Sequence, residues 1–423
     1  MAEILREKRD ISGIIAAHRS ELMHRDAAAN KGSYGRLLIM AGSRGMAGAA
    51  YLSGLAAFRS GIGMVKYLAP EANRIILQTM LPEAMYESWE QKAYTDRAGD
   101  FCASGKASVC GNGGGTNDGV YESDVYDGSA HGSYIDKEKL DAGLDWADYV
   151  IIGPGLSKSE EARETVRLLF DEDITERLHK KKLVIIDADA LNIIADEGLD
   201  LKRLAAPDCQ NIVITPHIME MLRLIRNATA VDKVCCGSPS YDESRESDSS
   251  GIRPNELVSL HRESSCGTAS DSCRYIKLLK EFTDTESIKQ APEEAAAAFA
   301  ALKGINVILK DNETAIAELV STAAAKPYDG LENAGTAADV SIRTMLLSPG
   351  CGAMAKAGSG DTLCGFIAGT AAVLKENITD ALPVSVYLHG RAGCLAAEEK
   401  GEHSILAGDI AEHAGAAIKS LFT

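Results

Sequence analysis

At 423 residues and 45% hydrophobic composition, the chain is long enough to bury a large α/β core in one to three domains. Its net charge of −17 and pI near 5.1 argue against nucleic acid or an anionic membrane as partner, so an anionic ligand needs a local site. The charged start lacks a signal-peptide core, and no apolar run nears the roughly 20 residues that span a bilayer, which predicts a soluble, cytoplasmic protein.

In chain order, the short apolar runs at 36–41 (RLLIMA), 149–152 (YVII), 183–186 (LVII), 211–214 (NIVI) and 306–309 (NVIL) read as strands. Each is apolar on both faces, as parallel strands covered by helices are. Helical patterns fall between them at 49–60, 160–170, 217–226 and 293–303, and three more fill 361–375, 379–400 and 404–421. This alternation predicts an α/β protein with a three-layer αβα architecture around a mostly parallel sheet. Stretches near 90–143, 228–275 and 320–346 break the rhythm and read as polar insertions in a single domain. Most of the ten cysteines fall in such stretches, and with no C-x-x-C pair they signal neither a zinc site nor a disulfide framework.

Ligands of open parallel sheets gather beyond the carboxyl ends of the strands. The first strand is followed by Gly42-Ser-Arg-Gly-Met-Ala-Gly48 and Ala49, small residues that admit a ligand but do not spell a dinucleotide fingerprint. The next leads into Gly153-Pro-Gly155, a compact turn. Asp187 and Asp189 follow the third, as a magnesium or hydroxyl site or as helix caps. Thr215-Pro-His217 follows the fourth, with Glu220 one turn on; His217 reads as a ligand donor, a proton shuttle or a plain helix cap. Lys310 ends the fifth, placed for a polyphosphate or as a solvated hairpin lysine.

The most informative stretch is Ala357-Gly-Ser-Gly-Asp361, where small residues precede an apolar helix. Such backbone can aim successive N–H groups at an anion, aided by the helix dipole. Asp361 adds a carboxylate at the same spot, suited to take a proton from a hydroxyl as phosphate is transferred, with the helix N-terminus expected to hold it ionised. A Gly-Ser loop with Asp361 as a cap accounts for the same residues. Together the six segments describe a nucleotide phosphate site beside a hydroxylated substrate.

The series Asn30-Lys-Gly-Ser-Tyr-Gly-Arg36, Gly42-Ser, Gly48-Ala49, Gly153-Pro-Gly155, Asp187-Ala-Asp-Ala-Leu-Asn192, Thr215-Pro-His217, Leu309-Lys310 and Gly358-Ser-Gly-Asp361 resembles the ADP-dependent NAD(P)H-hydrate dehydratases. These are ribokinase-like proteins, often the C-terminal half of YjeF-type chains. The likeness runs from about residue 30 to the C-terminus, includes His389-Gly-Arg-Ala-Gly393 and skips the insertions. It implies a single ribokinase-like domain that dehydrates the S epimer of hydrated NADH or NADPH, giving AMP and phosphate. It assigns Ala49, Gly155, His217 and Asp361 to the hydrated dinucleotide, with Asp361 as the base. It assigns Lys310, Asp311, Asn312, Glu313, Thr314, Gly358, Ser359 and Gly360 to the adenine nucleotide.

The implied cofactors are ADP, or ATP, with Mg2+. The implied partners are small molecules and a separate NAD(P)H-hydrate epimerase, in a homo-oligomer such as a tetramer. The chain departs from the family at Asp311, where glycine is usual, at Ile218-Met219-Glu220, usually Pro-Gly-Glu, and at Gly350-Cys351-Gly-Ala353, usually Gly-Asn-Pro-Gly. The alternatives are a ribokinase-like kinase acting on a vitamin precursor and a nucleotide-binding regulatory protein with impaired catalysis.

Overall fold

The computed structural model describes residues 4–5, 10–90, 135–205, 210–230, 268–321, 340–375 and 377–422. Among them, ten strands form one sheet: β1 (Ile4–Leu5), β2 (Arg36–Met40), β3 (Met64–Ala69), β4 (Met85–Ser88), β5 (Tyr149–Ile152), β6 (Leu183–Ile186), β7 (Ile212–Ile214), β8 (Asn306–Leu309), β9 (Thr314–Ser321) and β10 (Val340–Leu347). Their spatial order is β1-β10-β9-β8-β7-β6-β5-β2-β3-β4. From β8 to β4 all neighbours are parallel, while β9 runs antiparallel to both β8 and β10. The five strands expected from apolar runs are the sheet's centre, β8-β7-β6-β5-β2.

Alternate residues of these strands feed two separate cores, as a sheet covered on both faces requires. Leu38, Met40, Val150, Ile152, Val184 and Ile186 face one side, with Leu140, Val166, Leu178, Ile194, Met221 and Phe299 from its helices. Leu37, Ile39, Ile151 and Ile185 face the other, with Leu55, Phe366, Ile367 and Leu388. The protein is a three-layer, ribokinase-like αβα domain. No helix among the described residues is long and apolar enough to cross a membrane.

The expected insertions are overrun at their edges. The helices Lys137–Trp146 and Thr268–Leu279, and strand β10, overlap the ends of stretches that composition assigned to loops. Averaging over a long polar or Ala-rich stretch dilutes an ordered element at its end; the remainder of those stretches lies outside the described residues. The last expected helix divides into Ala407–Glu412 and Ala414–Ser420.

Small residues fix the contact that matters most for the site. The helix Ala47–Ser60 crosses the helix Ser359–Val373 so closely that a Cβ on Gly365 would stand 2.3 Å from the Ser53 carbonyl oxygen and 2.6 Å from Ala56 Cβ. The Ser53 hydroxyl donates to the Asp361 carbonyl at 3.1 Å, and Ser60 donates to that of Gly365 at 3.2 Å. Gly365→Ala gains up to about 1 kcal/mol in helix propensity. Forcing two backbones apart costs about 3 kcal/mol, so net destabilisation near 2 kcal/mol is expected in urea unfolding.

Candidate active site at the carboxyl edge of the sheet

The five strand ends are joined by a ladder of backbone hydrogen bonds. The amide of Gly153 donates to Met40, Asp187 to Ile152, Thr215 to Ile186 and Lys310 to Pro216, at 2.8–3.2 Å. The strand-end residues therefore line one edge, as parallel topology dictates. Gly153 (φ 123°) lets the chain pass where a Cβ would lie 1.8 Å from the Asp187 carbonyl oxygen. Gly155 (φ 62°) abuts the helix Ala47–Ser60, where a Cβ would lie 2.8 Å from Ala49 Cβ. Ala49 and Gly155 are thus neighbours on one wall. Asp189 opens the helix Asp189–Glu197 and accepts the Ser157 amide at 2.7 Å, holding the turn after Gly155.

A buried ion pair forms the centre. Lys310 Nζ donates to Asp187 Oδ1 at 2.6 Å, with the lysine side chain 19% and the aspartate 1% exposed. Lys310 is therefore not a solvated hairpin lysine. Burial opposes its charge, but the carboxylates of Asp187 and Glu220 outweigh that and raise its pKa. The other oxygen of Asp187 accepts from the Cys364 thiol at 3.2 Å, and burial keeps that thiol protonated. The Gly358–Gly360 turn faces the pair: a Cβ on Gly360 would stand 3.2 Å from Lys310 Nζ and 3.8 Å from Asp187 Oδ2.

Gly358 (φ 93°) precedes the helix Ser359–Val373 and adopts a conformation that strains any residue with a side chain. Ser359 anchors the turn by donating to the Met354 carbonyl at 2.8 Å. Thr362 donates to the Ser359 carbonyl at 2.8 Å and meets buried His389 Nε2 at 3.0 Å. Burial pushes the His389 pKa down to about 4, so the ring is neutral at pH 7.

Asp361, the third residue of this helix, corrects one expectation. Its position at the N-terminus predicted a carboxylate held firmly ionised. Instead burial, together with Asp187 and Asp189, raises its pKa to about 6, despite opposing attraction from Lys310. Desolvation and two neighbouring carboxylates outweigh the helix dipole. A carboxylate tuned upward is the better proton acceptor.

His217 is a helix cap, as the bland reading held, but only through one nitrogen. Nδ1 accepts the amides of Met219 (3.1 Å) and Glu220 (3.4 Å), while Glu220 returns a carboxylate to the His217 amide at 2.9 Å. The neutral ring then carries its proton on Nε2, which lies 3.5 Å from Glu220 Oε1. Burial and Lys310 lower its pKa, which keeps it neutral at pH 7. Burial also pushes buried Glu220 up to about 7, against the pull of Lys310. Of the expected nucleotide residues, Asp311, Asn312 and Glu313 form the exposed turn from β8 to β9, and Thr314 opens β9.

A family profile for NAD(P)H-hydrate dehydratase matches residues 37–126, 116–240 and 296–415. The chain belongs to the NAD(P)H-hydrate dehydratase family. It is 26% identical over 393 residues to a bifunctional NAD(P)H-hydrate repair enzyme of Moorella thermoacetica, covering 93% of this chain and 51% of that one. It is 25% identical over 397 residues to the ADP-dependent (S)-NAD(P)H-hydrate dehydratase of Bacillus subtilis, covering 93% and 92%. The chain thus spans about half the bifunctional relative and nearly all of the other. A solved structure of the Bacillus subtilis ADP/ATP-dependent dehydratase, co-crystallised with ATP/Mg2+, superposes with a TM-score of 0.52 at 22% identity, covering 96% of both chains. At that identity the likeness bears on the fold.

A role for Asp361 as the base carries a pH dependence of its own. Below about pH 6 the carboxylate is protonated and cannot accept a proton, so kcat/KM is expected to fall about tenfold per pH unit there and to level off above pH 7. A profile flat down to pH 4.5 contradicts a basic role for Asp361. Cys364 and Thr362 escaped the sequence reading, although both lie within one turn of Asp361 on its helix. A cavity of about 670 Å³ bordered by Arg36, Asp148 and Lys182 lies at the opposite, amino edge of the strands, away from this chemistry. The Lys-Gly-Ser-Tyr-Gly-Arg segment is at that edge too. There Asn30 caps the turn Lys31–Tyr34, which packs beneath Gly63.

Proposed function

We propose that this chain is an ADP-dependent dehydratase that returns the S epimer of hydrated NADH or NADPH to the reduced dinucleotide, releasing AMP and phosphate. The observation that carries the reading is the position of Asp361. A half-buried carboxylate with its pKa raised to about 6 adjoins the Gly358–Gly360 turn, which itself faces the Lys310–Asp187 pair. Family membership supplies the substrate class.

In this reading Asp361 takes the proton of the ring hydroxyl as that oxygen attacks the terminal phosphorus of ADP, and AMP departs. The Ala357–Gly360 amides and Lys310 stabilise the transferring phosphoryl group. Phosphate then leaves from the ring carbon, driven by the ring nitrogen lone pair; the neighbouring ring carbon gives up a proton to the departing phosphate or to water, and the double bond returns. Ala49 and Gly155 leave room for the dinucleotide against the backbone, and His217 Nε2–H donates to it. The adenine nucleotide lies along 310–314, with Gly358, Ser359 and Gly360 at its phosphates. Exposed Asp311 repels the phosphates and points to weaker nucleotide binding than glycine would allow.

Among the described residues no three His, Cys, Asp or Glu side chains converge on a metal site. Magnesium would therefore be held by nucleotide phosphates and water, where it screens their charge. We assign the chain to a cytoplasmic, homo-oligomeric enzyme that receives its S epimer from an NAD(P)H-hydrate epimerase activity. The product distinguishes this lyase from a kinase. Incubation of the hydrate with ADP is expected to yield AMP and inorganic phosphate in equal amounts, followed by phosphorus NMR; a persistent phosphoester would identify a kinase instead.

A further inference from the structure

One pair of thiols lies outside the catalytic arrangement and beside the segment that leads into it. Cys351 begins the turn Gly352–Met354, and Cys394 is on the helix Ile378–Lys400 that packs against it. The Cys394 thiol donates to the carbonyl of Pro349, two residues before Cys351, at 3.6 Å, and Cys351 is among the neighbours that act on it. Cys351 packs on Ala353, Ala396, Ala397 and Ile405. Both thiols are free and partly exposed.

Glycines let the two backbones approach closely enough for a covalent link. A Cβ on Gly390 would lie 2.7 Å from the Pro349 carbonyl carbon, and one on Gly393 would lie 2.3 Å from Met354 Sδ. Cys351 also falls in the segment where this chain departs from the family pattern. Downstream, the Met354 carbonyl receives the Ser359 hydroxyl, so a shift of Cys351 is transmitted to the phosphate turn.

We propose that Cys351 and Cys394 are an oxidisable dithiol that closes to a disulfide under a hydroperoxide and loosens the nucleotide turn. The Cys351 sulfur attacks the O–O bond, becoming a sulfenic acid as the hydroperoxide is reduced to an alcohol. The Cys394 sulfur then displaces that hydroxyl, which leaves as water with the thiol proton. Overall, two thiols and one hydroperoxide give one disulfide, one alcohol and one water. Burial and its thiol neighbour push the Cys394 thiol up to about 11, which leaves the first attack on the hydroperoxide to Cys351. A disulfide requires the sulfurs to close to about 2.05 Å, which draws Cys351 toward the helix and pulls on Met354.

The test treats the intact, reduced chain with tert-butyl hydroperoxide, blocks free thiols, digests with trypsin and maps the peptides. Peptides 344–356 and 392–400 each carry a single cysteine. They are expected as one linked species, split by dithiothreitol. Cys394→Ser is expected to abolish the link and leave a dimedone-reactive sulfenic acid on Cys351. Linkage of Cys351 to a different cysteine, or reduced 344–356 and 392–400 after other cysteines have oxidised, overturns the proposal. The oxidised chain is also expected to bind ADP at least threefold more weakly than the reduced chain, reversibly, with no change in treated Cys394→Ser. An unchanged ADP affinity in a fully linked sample refutes the coupling to the turn. This last arm rests on the proposed nucleotide site. Failure of the reduced chain to bind ADP would count against that site, while the peptide map stands on its own.

Discussion

Asp361→Asn should leave ADP bound and remove dehydration. The substitution keeps the size and hydrogen-bonding shape of the side chain but takes away its ability to accept a proton. A positioned general base contributes about 10²- to 10⁴-fold, so kcat is expected to fall at least 100-fold while the ADP dissociation constant stays within about threefold. Isothermal titration with a single-turnover assay checks both halves.

The same variant makes a stability prediction with a definite sign. Asp361 titrates near 6 in the fold and lower when unfolded, so the fold binds its proton more tightly. Its contribution is most favourable below the unfolded pKa and declines as pH rises toward 6. Asparagine removes the buried charge, so the variant is expected to be up to about 2 kcal/mol more stable than the parent at pH 7.5, with no such gain at pH 4. Full activity in Asp361→Asn would end the mechanistic reading. A variant less stable at pH 7.5 would show that the carboxylate serves the fold instead.

Lys310→Met is the second large effect. It strands Asp187, 1% exposed, beside Glu220 and Asp361: Arg223 still acts on Glu220, but Asp187 and Asp361 lose their cationic neighbour. Removing one partner of a buried ion pair costs about 3–5 kcal/mol, and here three carboxyl groups would be left to share the loss. Chemical denaturation should register that cost, and the fall should shrink in acid as the carboxyls are protonated. The double variant Lys310→Met, Asp187→Asn is expected to recover at least half of the lost stability, because the stranded charge is gone. Neither variant recovers phosphoryl transfer, since no cation then faces the phosphate turn. A double variant as active as the parent would reduce the pair to a packing device.

The sequence made the centre of the sheet visible because strands buried on both faces are runs of Val, Ile and Leu, and β2, β5, β6, β7 and β8 are such runs. β3, with Lys66 in mid-strand, and β10, with Ser341, Arg343 and Thr344, break the pattern; they pair nearer the edges, where one side of a strand meets polar neighbours. The strand-end motifs were legible for a topological reason: parallel connection forces every one of them to the same edge. What they do with one another was not legible. That Lys310 is committed to Asp187, that Asp189 clamps Ser157 and that His217 spends Nδ1 on its helix are long-range or rotamer-level facts with no local signature. The upward shift of Asp361 is likewise a property of burial and of two carboxylates far away in sequence. The helix dipole, which is local, pointed the other way.

The most direct measurement is the return of reduced-nicotinamide absorbance when purified protein meets the S hydrate of NADH or NADPH. With ADP and magnesium present, full recovery is expected, together with one AMP per hydrate consumed, and none without nucleotide. Consumption of nucleotide with no return of absorbance, or recovery that does not need nucleotide, would contradict the assignment of the Gly358–Asp361 turn to phosphorylation-driven loss of water.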